Sequence, residues 1–105
     1  MGHVFAYITA KDLAEAEKIG QVLVGERLAA CVNILDGMLS MYWWQGQLEK
    51  SKEVVIIAKT REELKESLLE RVKEIHSYDC PCVIFLPVQG GNKEFLDWIN
   101  AETQN

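Results

Sequence analysis

The sequence predicts an α+β sandwich in which four antiparallel strands carry two long helices on one face, with an extended hairpin and a short C-terminal helix added. Three observations lead there. β-prone runs and stretches of helical apolar periodicity follow one another in the order βαββαβ, and the two central strands meet at a tight Gln45-Gly46 turn. The 105 residues, 49% of them hydrophobic, are enough for one core rather than two.

Taken in order, Val4 to Ile8 is a short β-prone run, and Thr9-Ala10-Lys11-Asp12 offers the acceptors of a helix start, with Thr9 and Asp12 at capping-box spacing. Leu13, Ala16, Ile19, Leu23 and Val24 recur at helical spacing to about Arg27. Gly20 inside this stretch costs helix stability and marks close packing against a neighbour. Leu28 to Leu35 is apolar and β-compatible, Asp36-Gly37 signals a bend or bulge, and Met38 to Trp44 resumes extended character. The return strand runs from Gln47 to Lys59. Its first part, Leu48 to Lys52, is polar, and its second, Glu53 to Ala58, almost wholly apolar, so only the second sits in a core and the first projects as an arm. Thr60-Arg61-Glu62-Glu63 reads as a capping box for a second helix with a stripe of Leu64, Leu68, Val72 and Ile75. Cys80 to Val88 makes the fourth strand, which Pro81 and Pro87 place near a sheet edge. Gly90-Gly91 breaks the chain, Asn92 caps, and Phe95, Leu96, Trp98 and Ile99 give the terminal helix. Two βαβ units joined by a hairpin make a split βαβ, or ferredoxin-like, sandwich spanning residues 1–105 as one domain.

Two helices cover one face of such a sheet, yet Val54, Ile56 and Ala58 on one side and Val55 and Ile57 on the other are all apolar. The terminal helix is too short to hide the whole second face. Another copy of the chain is the expected cover, with Tyr42, Trp43 and Trp44 on the arm as anchors. The expectation is a homo-oligomer.

Eleven Lys and Arg against sixteen Asp and Glu give a net charge of −5, and no basic cluster gathers on one segment, which argues against a nucleic-acid partner. No apolar run approaches the roughly 20 residues needed to span a bilayer, so no membrane partner is expected. Three cysteines would leave one unpaired in an oxidising compartment, and Met1 to Val4 has neither a basic nor an apolar leader region. The expected compartment is the cytoplasm.

The densest group of chemically versatile side chains is His76, Tyr78, Asp79, Cys80 and Cys82. In a strand Cys80 and Cys82 would point to one face with Cα atoms about 6.6 Å apart, a spacing that lets both thiols meet a soft ion such as Cu(I) or Zn(II), with His76 adding an imidazole. On spacing alone, buried core thiols explain them better, because Cys-x-Cys is not the spacing of closed zinc sites. His76 ends the second helix, where a cationic cap is favoured, and Cys31 reads as a small residue of an inner strand. Thiol catalysis would need an activating base and oxyanion donors, neither of which is legible. Lys59 and Thr60, at a strand-to-helix junction, are a conceivable anion site without a glycine-rich loop to support it.

Several strings, in order and at consistent separation, resemble one family. Leu28-Ala-Ala-Cys-Val-Asn-Ile-Leu35, Ser40-Met-Tyr-Trp-Trp-Gln-Gly46, Glu53-Val-Val-Ile-Ile-Ala-Lys-Thr60, the segment from His76 to Ile84, and Leu86-Pro-Val-Gln-Gly-Gly-Asn92 with Phe95 to Ile99 are similar to the signature segments of the CutA divalent-cation-tolerance proteins. The resemblance implies a ferredoxin-like subunit in a homotrimer, similar in architecture to the PII signalling trimers, linked to tolerance of copper or another divalent cation and without an established reaction. It implies an intersubunit cleft including Cys31, Trp44, Glu53, Lys59, His76, Tyr78 and Trp98, with metal binding resting first on His76 and Cys31; this chain's own Cys80 and Cys82 are added to that candidate metal set from their chemistry, not from the resemblance. A PII-like scaffold that binds a small anion near Lys59 is the alternative. The chain departs from the pattern at Ser77, in place of the usual proline, and at Cys80 and Cys82, the latter in place of a glutamate. Exchanging a carboxylate for thiols moves the expected ion toward the soft end of the scale.

Overall fold

A computed structural model describes residues 2–104; Met1 and Asn105, the ends of the expected unit, lie outside the described residues. The elements are β1 (His3–Ala10), α1 (Leu13–Gly25), β2 (Cys31–Trp44), β3 (Gln47–Arg61), α2 (Lys65–Ile75), β4 (Val83–Val88) and α3 (Lys93–Glu102), with a 3-10 turn at Glu62–Leu64. The four strands form one antiparallel sheet in the order β2-β3-β1-β4. This is the expected βαββαβ plan with a terminal helix, and β4 is an edge strand, where Pro87 removes a donor without breaking an inner ladder.

Strand alternation divides the sheet into two faces. Ala6, Ile8 and Ala10 of β1 and Val54, Ile56 and Ala58 of β3 pack with Ala16, Ile19 and Leu23 of α1 and with Leu68 and Val72 of α2, so the helices seal one side. Leu13 and Val24, expected on the buried stripe of α1, are exposed; the helix is tilted onto the sheet through Ala16, Ile19, Gly20 and Leu23 instead. Gly20 is required by contact, since a Cβ there would lie 2.9 Å from Cγ2 of Val32. Toward the other face the sheet presents Phe5, Tyr7, Ile57, Ile84 and Leu86, and α3 folds over only one end of it, tied by His3 Nε2 to Asn100 Oδ1 (2.9 Å) and by Arg61 Nε to Thr103 Oγ1 (2.8 Å). Ile84 and Leu86 stay exposed.

Four local expectations are corrected. The cap of α1 is Asp12, whose Oδ1 accepts from Glu15 N at 2.8 Å, while Thr9 belongs to β1 and is buried. β2 starts at Cys31 rather than Leu28: Leu28 N and Ala29 N both donate to Leu23 O, closing the exit of α1 after Arg27, which takes φ 60. Thr60 caps nothing. Strand pairing with β1 runs on through Val4–Thr60 and His3–Arg61, Thr60 Oγ1 donates to Leu28 O at 2.7 Å, and α2 begins from the 3-10 turn without a side-chain cap. β4 starts at Val83, because its pairing with β1 ends at Ile8–Val83, and Cys80, Pro81 and Cys82 are therefore irregular backbone rather than strand.

The hairpin arm comes from the register. Leu35 faces Val55 but Met38 faces Glu53, so one extra residue enters β2 at Asp36-Gly37, with Gly37 at φ 84. The bulge inverts the alternation, which turns Met38, Ser40, Tyr42 and Trp44 toward the face left open by the helices. Gln45 and Gly46, at φ 51 and 80, close the arm with the twist that a two-residue hairpin needs.

Candidate functional site

The irregular segment between α2 and β4 is held by polar contacts rather than by strand pairing. His76 N donates to Val72 O and ends α2, and its buried ring then spans two backbone groups. Nε2 lies 2.7 Å from Thr9 O and Nδ1 lies 3.0 Å from Tyr78 N. A carbonyl only accepts and an amide N–H only donates, so the proton sits on Nε2 and Nδ1 accepts. His76 is thus a neutral brace between β1 and the segment, not the cationic cap its position at a helix end suggests. Ser77 N adds a 2.8 Å bond to Glu15 Oε2. Burial raises the Glu15 carboxyl, but the hydrogen bonds from Ser77 and from the Lys11 backbone outweigh it and hold the group below the usual glutamate value.

Tyr78 stands on this brace, its ring 4.7 Å from that of His76, and its hydroxyl donates to Glu53 Oε2 at 2.7 Å. Burial first, then the hydrogen bond to Glu53 and the charge of that carboxylate, push the phenol well above the ordinary tyrosine value. A phenol raised in the folded state stays protonated when its unfolded counterpart ionises, so this contact contributes stability that is lost as pH rises above about 10. Tyr78→Phe is expected to cost about 1–2 kcal/mol at neutral pH, since Glu53 loses its donor. The gap between parent and variant, measured by urea unfolding, should narrow between pH 9 and 12; a flat difference would count against the bond.

Between the segment and the arm lies a cleft of about 540 Å³, lined by Thr9, Tyr42, Trp44, Glu49, Ser77, Tyr78, Asp79, Cys80 and Cys82. Two carboxylates, Glu49 and Asp79, border it, and among the described residues no Lys or Arg does. Burial pushes the Cys82 thiol up, with the nearby Glu53 charge adding to it. All three cysteines are free.

The expected site residues fall into two groups. Trp44, Tyr78, Cys80 and Cys82 line the cleft, with Glu53 and His76 directly behind Tyr78. Lys59, Cys31 and Trp98 lie at the other end of the sheet. Lys59 lies six residue steps beyond Glu53 along β3, about 20 Å of strand. There Lys59 Nζ sits 5.7 Å from the Phe5 ring centroid and 5.4 Å from that of Phe95, Phe95 packs on Trp98 at 5.4 Å, and Cys31 is the register partner of Lys59. Lys59 and Thr60 are inside a paired strand, so no helix N-terminus is available to them as an anion site. Among the described residues no three His, Cys, Asp or Glu side chains come together in a set able to hold a metal. His76 and Cys31 in particular do not meet within one chain. The reading of the residues in sequence overlooks Thr9 and Glu49; the second was within reach, because the Gln45-Gly46 turn pairs Trp44 with Gln47 and hence Tyr42 with Glu49.

Comparison with known proteins agrees with this architecture. Residues 4–102 match the family model of the CutA1 divalent ion tolerance protein. The divalent-cation tolerance protein CutA of Archaeoglobus fulgidus is 47% identical over 102 residues, covering 97% of this chain and 99% of that one, and the protein of the same name from Pyrococcus horikoshii is 44% identical over 101 residues, covering 96% and 98%. In structure, CutA1 from Oryza sativa superposes with a TM-score of 0.96 at 39% identity, covering 99% of this chain and 95% of that one. The Archaeoglobus fulgidus protein, described as periplasmic, superposes with a TM-score of 0.94 at 45% identity, covering 97% and 99%. Among the described residues no helix is long and apolar enough to cross a membrane. With all of the sheet but His3, all three helices and the arm inside the matched span, the chain belongs to the CutA1 family of divalent ion tolerance proteins.

Proposed function

We propose that the protein is a non-catalytic, cytoplasmic cation-binding protein acting in tolerance to copper or another divalent cation, with the 540 Å³ cleft as its ion site and a homotrimer as its working form. The observation that carries the reading is the charge of the lining: Glu49 and Asp79 face the space, Glu53 lies behind Tyr78, and among the described residues no basic side chain lines it. Such a cleft attracts a cation and repels an anion. Within one chain its donors are too few to enclose a divalent ion. Waters or oxygen donors from a neighbouring copy would have to complete the shell.

The alternative, a PII-like scaffold for a small anion, is favoured by Lys59 alone, whose ammonium faces the Phe5 and Phe95 rings and forms no ion pair among the described residues. Thermal unfolding separates the two. Mn(II) and Cu(II) are expected to raise the midpoint, by the equivalent of about 2.7 kcal/mol at a hundred times Kd, and Glu49→Gln with Asp79→Asn to remove most of the rise. Stabilisation by nucleotides or carboxylates, lost in Lys59→Met, with none from cations, would give the alternative the better claim.

A further inference from the structure

We propose that Cys80 and Cys82 form a two-thiolate site for a soft, low-coordinate cation, Cu(I) above all, on the wall of the cleft; the inference rests on the reading of that cleft as a cation site. Both thiols are free and both line the space. They flank Pro81 on backbone that other groups already hold in place: His76 to Thr9, Ser77 to Glu15, and Tyr78 to Glu53. The segment's anchoring therefore rests chiefly on groups other than the two thiols, of which Cys82 alone has a further polar contact, with Thr9.

Coordination number selects the ion. Hard divalent ions require about six oxygen ligands and structural zinc requires four ligands. Among the described residues no set of three suitable side chains exists. The imidazole of His76 is committed to the backbone on both nitrogens. Two thiolates alone complete a linear shell around a d10 ion, and thiolate sulfur is the ligand type that selects Cu(I). Binding replaces two S–H bonds by two S–Cu bonds: Cu(I) plus two thiols gives a bis-thiolate complex and two protons, with no change of oxidation state. The carboxylates of Glu49 and Asp79 attract the incoming ion, and Tyr42 and Trp44 wall the opposite side.

The test is an anaerobic competition titration of the reduced full-length protein against bicinchoninate, a chromophoric Cu(I) chelator, with Mn(II) binding measured alongside. One Cu(I) per chain is expected, accompanied by sulfur-to-copper charge-transfer absorption. Cys80→Ser and Cys82→Ser should each weaken Cu(I) binding by about a hundredfold and leave Mn(II) binding unchanged, whereas Cys31→Ser should leave both unchanged. A double serine variant that holds Cu(I) within about threefold of the parent, or loss of binding in Cys31→Ser instead, overturns the thiol site. If Mn(II) binds and Cu(I) does not, the thiol site falls and the cation cleft stands; if Cu(I) binds through the two thiols and Mn(II) does not bind, the reverse holds. A second probe avoids metals altogether. Phenylarsine oxide condenses with two thiols within reach of one arsenic, releasing one water, so mass spectrometry should find one cyclic adduct per parent chain and none in either single variant. A parent that forms no adduct refutes the pairing.

Discussion

Trp43→Glu combined with Met41→Glu is expected to convert the proposed homotrimer into monomers, read by sedimentation equilibrium or light scattering after gel filtration. The arm is the reason. Trp43 is 73% exposed and Met41 66%, and Leu48, paired with Trp43, is 65% exposed, so the tip of the hairpin presents an apolar cluster in water, with Lys50 opposite Met41 behind it. The arm gives the chain a long axis of 44 Å against 25 and 22 Å, and no helix of the same chain follows it outward. The opposite face of the arm carries Tyr42 and Trp44, and the open sheet face adds Leu35, Ile84 and Leu86, all exposed. So many exposed large apolar side chains on the arm and the open sheet face mark an interaction surface. Aromatic anchors of this kind cost about 2–4 kcal/mol each when truncated in an interface, and every copy supplies one arm, so in the proposed homotrimer the penalty recurs at each contact. Persistence of the parent's mass in the double variant would remove the arm from the interface, and a monomeric parent would remove the assembly itself.

The element order is legible in this sequence because apolar periodicity and turn residues agree over long stretches: Gln45-Gly46 and Asp36-Gly37 mark the turn and the bulge, and the alternation around Ile56 separates the two faces. Boundaries are less legible where a local signal competes with pairing. Thr60 has the spacing of a cap, yet a strand partner in Val4 and an acceptor in Leu28 O satisfy it better than a helix start would. Pro81 has the opposite effect: with no N–H to give, it stands outside β4, and the two cysteines that a strand would align instead reach the cleft from a loop.

The site divides along the same line. Tyr78, Cys80 and Cys82 come together because they are near in sequence, and composition alone singles out their segment. Glu53 and Glu15 join them from 25 and 62 residues away through single hydrogen bonds to Tyr78 and Ser77, contacts that no periodicity encodes. The family resemblance groups Lys59 and Trp98 with these residues, whereas within one chain they lie about 20 Å along the sheet. A single sequence says which residue types are present, but not which of them a second copy brings near.

His76→Leu is expected to lower stability by about 3 kcal/mol and to loosen the whole cleft-bearing segment. Pairing of β4 with β1 stops at Ile8, so the carbonyl of Thr9, one residue further on, has no strand partner on that side, and Nε2 of His76 takes its place at 2.7 Å. Nδ1 satisfies the N–H of Tyr78 in the same buried spot. Leucine fills the volume but leaves an acceptor and a donor dry, at about 1–3 kcal/mol apiece. His76→Gln places an amide N–H near the position of Nε2 and should restore the Thr9 bond; His76→Asn places an acceptor near Nδ1 and should restore the Tyr78 bond. Each is therefore expected to recover about half of the loss, with hydrogen exchange of residues 77–82 slowing in step. If His76→Leu were as stable as the parent but deficient in Cu(II) binding, the imidazole would be a ligand rather than a brace, and it would have to leave Thr9 to reach the ion.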